Sequence, residues 1–169
     1  MNKLLDNKIL SRVRRNHGLE HATLHVLGSR FPGLGLAGLS DAGGFWIIGN
    51  VELDDLTDAV VAALARLRAG EQTLAIHPNC GTNYVTTGAF AGFAAWLSML
   101  GVKKGLRDKL DRLPNAIILS TLAIMFAQPL AYKLQSKVTT SGVPGQLELT
   151  GISVYLRGGT KAYRVSTKG

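Results

Sequence analysis

VTTGAFAGFAAWLSMLGV, Val85–Val102, runs eighteen residues without a charge, and AIILSTLAIMFAQPLAY, Ala116–Tyr132, runs seventeen more. A helix that crosses a bilayer needs about 20 predominantly apolar residues, with a lower limit near 17. Both runs reach that limit, and the strongly charged KKGLRDKLDR lies between them. A buried helical hairpin of a soluble protein is the alternative, and the charged loop between two charge-free runs argues against it. The pattern predicts an inserted transmembrane helical hairpin over 85–132, with spans 85–102 and 116–132 and a basic loop at 103–113. Gly88, Gly92 and Ala95 sit at the small-residue spacing that lets a neighbouring helix approach.

The flanks read as a soluble α+β domain split by that insertion. Residues 1–84 predict the order α-β-β-α-β. A helix covers about 7–28, and strands at about 34–39 and 44–51 turn at Asp41-Ala42-Gly43-Gly44. A second helix is capped by Asp54 or Asp55, carries Val60, Val61, Leu64 and Leu67 at helical period, and stops at Gly70. Thr73–His77 (TLAIH) predicts a short strand ending against Pro78. Residues 133–169 alternate as a β-hairpin, QLELTGISVYL and KAYRVST, with a turn at Arg157-Gly158-Gly159-Thr160. A lone hairpin is marginal in water, so it is expected to pack on the first domain and complete it.

The chain of 169 residues carries a formal charge of +8. Residues 1–84 are neutral, with eight basic and eight acidic side chains. The excess lies in 103–112, with five basic and two acidic residues, and in the tail from 133 onward, with six and one. No basic stripe alternates with aromatics, so nucleic acid is not an expected partner. The single cysteine, Cys80, excludes an intramolecular disulfide. The first residues, MNKLLDNKILSRVRRN, lack the apolar core of a secretory signal. The basic interhelical loop favours a cytoplasmic loop with the soluble domain outside, whereas the missing signal argues against export; the membrane face stays open.

Asn16–His25, NHGLEHATLH, holds three of the four histidines, each four residues after the last. His17-Gly18-Leu19-Glu20-His21 matches H-x-x-E-H. On a helix, positions i and i+4 stand one turn apart on one face, so both imidazoles can reach one ion. Glu20 shares that face and is expected to act as general base on a metal-bound water, whose pKa zinc lowers to ~7. His25 lies at the edge of the face. A catalytic zinc needs a third protein ligand. HPNCGTN, 77–83, supplies the remaining histidine and the sole cysteine, so His77 and Cys80 are rival third ligands or complete a closed site together. The downstream glutamate usual for the inverted motif would be Glu52 or Glu71. Gly18 inside a helix costs ~1 kcal/mol against Ala, which close approach of another backbone would explain. Gly33–Gly38 spells G-x-G-x-x-G but follows a helix and precedes a hairpin, the wrong context for a dinucleotide. Arg12, Arg14 and Arg15 read as a solvated or headgroup-facing turn, and Trp46 as core or interfacial.

Through RRNHGLEHAT (14–23), HPNCGTN (77–83) and the two spans with their basic loop, the sequence resembles a family of small, largely uncharacterised bacterial membrane proteins. That resemblance implies membrane location and a shared site built from His17, Glu20, His21, His77 and Cys80. The H-x-x-E-H part also resembles inverted-motif zinc metallopeptidases, over five residues.

The expected function is a membrane-anchored zinc-dependent hydrolase, metallopeptidase-like, in the bacterial cytoplasmic membrane, acting on a peptide or protein. The alternative is a non-catalytic protein binding haem or another transition metal, or an accessory subunit of a membrane complex. The lipid bilayer is the expected partner in both, with self-association or a larger complex left open.

Overall fold

The computed structural model describes residues 7–103 and 105–169. Residues 1–6, where the reading of the amino terminus begins, and Lys104 of the basic loop lie outside the described residues. The chain divides into two units, Met1–His77 with Ser136–Gly169, and Pro78–Gln135.

The first unit is a two-layer α/β arrangement. Helix α1 (Lys8–Arg30) starts at Asn7, whose side chain accepts the backbone N–H groups of Ile9 and Leu10, satisfying donors that a helix start leaves orphaned. Strands β1 (Ala37–Asp41) and β2 (Gly44–Ile48) form a hairpin closed by the Asp41 carboxylate accepting Gly43 N–H at 2.7 Å. Helix α2 (Leu53–Arg68) carries Asp54 and Asp55 in its first turn and Arg66 and Arg68 in its last, both matched to the helix dipole. It ends at Gly70, φ 97°, with Glu71 N–H on Arg66 O and Gly70 N–H on Leu67 O. That is the paired closure a left-handed glycine permits.

Strands β3 (Glu148–Arg157) and β4 (Thr160–Lys168) form the second hairpin, with Gly158 and Gly159 both at positive φ in its two-residue loop. Such a mirror-image turn suits the strand twist, and glycine adopts it without strain. β4 pairs antiparallel with β2, giving the sheet order β1-β2-β4-β3. A bulge between Leu149 and Gly151 interrupts the β3 register. Phe45 and Ile47 of β2 and Tyr163 and Val165 of β4 point to one face. Leu19, Ala22, Val26 and Leu27 of α1 and Leu56, Ala59, Val60, Ala63 and Leu67 of α2 cover it. Hydrophobic burial of this kind contributes ~25 cal/mol per Å2. The Tyr163 hydroxyl donates to the Val51 carbonyl inside the core.

The second unit is built from α3 (Gly81–Ser98) and α4 (Leu106–Leu134), the latter continuing as a π-helical turn, Gln135–Thr139. The Ser120 hydroxyl donates to Ala91 O at 3.1 Å and ties the two helices together.

Three expectations are corrected. First, the inserted two-helix transmembrane hairpin does not stand. Among the described residues, Leu106–Thr139 is the one helix long and apolar enough to cross a membrane. α3 opens with the polar turn Gly81-Thr82-Asn83-Tyr84 and stops at Ser98, so the uncharged run 85–102 is not one continuous helix. The fold is mixed α/β, four helices and a four-stranded sheet among the described residues. Second, Thr73–His77 is not a strand: Gln72–Ala75 is a 3-10 turn, with Leu74 N–H on Glu71 O and Ile76 N–H on Thr73 O. Third, Gly88 and Gly92 are not packing notches, because a Cβ added at either meets nothing within 4 Å.

Candidate metal site

The first unit gathers all four histidines. His17, His21 and His25 descend one face of α1, and His77 follows the 3-10 turn. Ring centroids are 4.4 Å apart for His17–His21, 5.6 Å for His21–His77 and 4.8 Å for His25–His77. Ligand nitrogens of His17 and His21 lie within 4.8 Å of each other. His21 is buried; His17, His25 and His77 are half-buried.

Backbone carbonyls orient three of these rings. His17 Nδ1 bonds Thr139 O at 3.0 Å, His21 Nδ1 bonds Ala75 O at 2.8 Å, and His25 Nε2 bonds Ile76 O at 2.8 Å. A carbonyl oxygen only accepts, so each contacting ring nitrogen carries the proton. In the neutral rings the opposite nitrogens, Nε2 of His17 and His21 and Nδ1 of His25, then present lone pairs. Metal-binding histidines are held in this way, by a second partner that fixes tautomer and orientation. The 3-10 turn and the π turn supply those carbonyls. The latter is of a type found often at functional sites.

His77 titrates well below the ordinary imidazole range, at about 4. Desolvation is the largest cause, followed by the like charges of His25 and His21. The neutral form favoured here is the form that ligates.

Gly18 has the structural reason its position called for. A Cβ there would collide with the carbonyl of Ser141 and crowd Ala75. Ser141 N–H also bonds Arg14 O at 2.9 Å, so this segment lies directly on α1. The three arginines are structural rather than headgroup-facing. Arg14 donates to Lys137 O and Thr140 O, Arg12 to Thr167 O, and Arg15 to Ser11 O and Gly169 O. Between them, buried Asn16 donates to Asp41 O and accepts from the Thr167 hydroxyl.

Glu20 is buried and faces the sheet: its carboxylate accepts the Ser40 hydroxyl, and a Cβ on Gly38 would strike it. Sequence reasoning missed Ser40, Gly38 and the carbonyls of Thr139, Ala75 and Ile76. Only the small residue at Gly38 could have signalled a close approach. Glu52 and Glu71 are not in the cluster. Glu71 pairs with Arg66 at 2.5 Å, and Glu52 pairs with Lys161 at 2.8 Å. Trp46 lies half-buried on the outer sheet face, beside Tyr155 and under Arg164. Cys80 caps the start of α3 in the second unit. His17 and His21 belong to a group that could hold a metal ion, and the geometry leaves the metal's identity open.

A relative from Picosynechococcus sp., an uncharacterized protein, is 37% identical over 153 residues, covering 83% of this chain and 71% of its own length. No solved structure matches the chain. The model of a domain of unknown function, DUF6391, matches residues 12–152, a stretch that takes in both histidine motifs; the chain belongs to that family.

Proposed function

We propose that this chain binds zinc through its HGLEH helix and HPNC turn, with His17 and His21 as ligands, Cys80 as the third and His77 beside them. The observation that carries the reading is the pair of ring protons held by the Thr139 and Ala75 carbonyls, which turns both Nε2 lone pairs to one side of α1. Cys80 follows His77 by three residues, and three residues reach ~10 Å at most. A histidine–histidine–cysteine set suits zinc, with Zn–N of ~2.0–2.1 Å and Zn–S of ~2.3 Å. Haem is less suited, because a macrocycle must fit between its axial ligands, whereas these rings crowd within 5.6 Å of their neighbours.

Hydrolysis is the second reading, favoured by the buried carboxylate of Glu20 three residues from His17. Zinc would supply Lewis acidity and a lowered pKa for water. Glu20, steadied by the Ser40 hydroxyl, would accept the proton and pass it to the leaving group of a peptide or protein. The work would take place at a membrane surface, to which α4, long and apolar enough to span a bilayer, would tie the chain.

Elemental analysis of protein purified without chelator should find about one zinc per chain. His17→Ala and Cys80→Ser should each lower it several-fold. Glu20→Gln should keep the metal and abolish peptide cleavage; retained cleavage removes Glu20 as the base, and zinc-loaded wild type that cleaves no peptide removes the hydrolase reading alone. Protein free of stoichiometric metal, or metal unchanged in His17→Ala, sinks the zinc reading.

A further inference from the structure

The second unit carries a cleft unrelated to the histidines. At the loop end of the two helices, a cavity of about 350 Å3 is lined by Gly101, Val102, Lys103, Asp108, Asp111, Arg112 and Asn115. A second cavity, of about 250 Å3, shares Arg112 and Asn115 with it and continues along Ser98, Ile118 and Leu119. One end is therefore charged and the other largely aliphatic, with Arg112 and Asn115 at the junction. Asp108 and Asp111 temper the charged end, but the segment 103–112 keeps five basic residues against two acidic ones. Among the described residues the Arg112 guanidinium has no hydrogen bond or ion pair, while Arg66 and Arg164 are each paired with a carboxylate.

Position decides what such a cleft fits. Arg112 and Asn115 stand where the charged first turns of α4 give way to its apolar length, and α4 is the helix able to cross a bilayer. Long cationic side chains at that level bury their stems in apolar surroundings and present their charge to headgroups. Basic clusters beside a span attract anionic lipid. Beyond Arg112 the exposed Ile117, Ile118 and Leu122 continue the apolar surface down the helix. We propose that this cleft is a binding site for one anionic phospholipid, its phosphate on Arg112 and Lys103 and its acyl chain along Ile118 and Leu119. The site rests on membrane association through α4 and is independent of the metal.

The test uses the full chain with vesicles of phosphatidylcholine alone, then with spin-labelled phosphatidylglycerol or phosphatidylcholine as probe. Flotation with phosphatidylcholine vesicles reports membrane association; a chain that stays in the aqueous phase sinks both readings. In membranes, labelled phosphatidylglycerol should be immobilised several-fold more than labelled phosphatidylcholine. Arg112→Gln should reduce that preference about tenfold, since it removes a charge-assisted hydrogen bond to the phosphate. Lys109→Gln removes the same charge from outside the cleft and should change it less than twofold. Flotation without lipid preference, or equal losses in the two variants, overturns the site and leaves the membrane reading intact. Displacement of the labelled lipid by inorganic phosphate alone would also overturn it, because the site would then read free phosphate.

Discussion

A single backbone contact explains the most unusual residue of α1. Gly18 sits inside a helix because the Ser141 carbonyl occupies the space a Cβ would take. Moving a backbone segment is costlier than turning a side chain, and overpacking of this kind costs about 1–3 kcal/mol. Gly18→Ala is therefore expected to lower the urea midpoint and to shift Ser141 away from Arg14. An unchanged midpoint would show that the segment yields freely. His77 gives a second residue-scale expectation. Its folded pKa of about 4 lies below the ordinary imidazole value of about 6.5, so folding favours the neutral ring. That contribution is fully present above pH ~6.5 and is lost as pH falls toward ~4, where the unfolded chain takes up a proton that the folded chain refuses. Metal-free protein should lose stability over this window, and His77→Gln should lose less. Parallel denaturation curves for the two proteins would contradict the assignment. At this scale the sequence displayed the ligand types but hid their orienting partners, since a backbone carbonyl has no letter of its own.

Elements hold the site in place through α1, which packs on α2, β1, β2 and the 3-10 turn. Asn16 spans from Asp41 O to the Thr167 hydroxyl, joining a helix to both hairpins of the sheet. Removing it leaves a buried hydroxyl and carbonyl short of a partner, at about 1–3 kcal/mol. Asn16→Ala should thus destabilise more than Tyr163→Phe, which removes one hydroxyl and costs about 1 kcal/mol. Equal denaturant midpoints for the two variants would show that the Asn16 bridge carries no special weight. Helix α2 was readable because its apolar spacing and its end agree: Val60, Val61, Leu64 and Leu67 recur at helical period and Gly70 closes it, whereas α1 runs past Gly28 to Arg30. The segment 73–77 misled because β-branched and apolar residues over five positions suit a strand and an irregular segment alike. Packing beside α1 decided for a 3-10 turn, which leaves the carbonyls of Ala75 and Ile76 facing the histidines.

For the whole molecule, the carboxy-terminal hairpin is integral rather than appended. Tyr163 and Val165 are fully buried, and β4 supplies the partner of β2. A chain ending before Glu148 would expose Phe45 and Ile47 and strip half the sheet. It is expected to show no cooperative unfolding transition; a cooperative transition would mean that residues 1–77 fold alone. Metal should act on the same equilibrium. A ligand present at 100 times its dissociation constant stabilises by about 2.7 kcal/mol, so added zinc should raise the melting temperature of the wild type and leave His17→Ala unmoved. A rise in both would place the ion elsewhere.

Local features were legible from the residues alone: the i, i+4 histidines on one helix face, the stop of α2 at Gly70, the two glycine-closed hairpin turns and the charge-free runs. Each depends on neighbours within a few residues, and the chain order states them directly. Tertiary structure decided the rest. It set the pairing of β4 with β2, the contact of Ser141 with Gly18, the Ser40 hydroxyl on Glu20 and the carbonyls that aim the imidazoles. It also decided that the run 85–102 is broken by a helix end, because where a helix stops depends on capping as well as on hydropathy. Such contacts join residues as far as 155 positions apart, as in the Arg12–Thr167 bond, and only the closed core brings such residues within reach of one another.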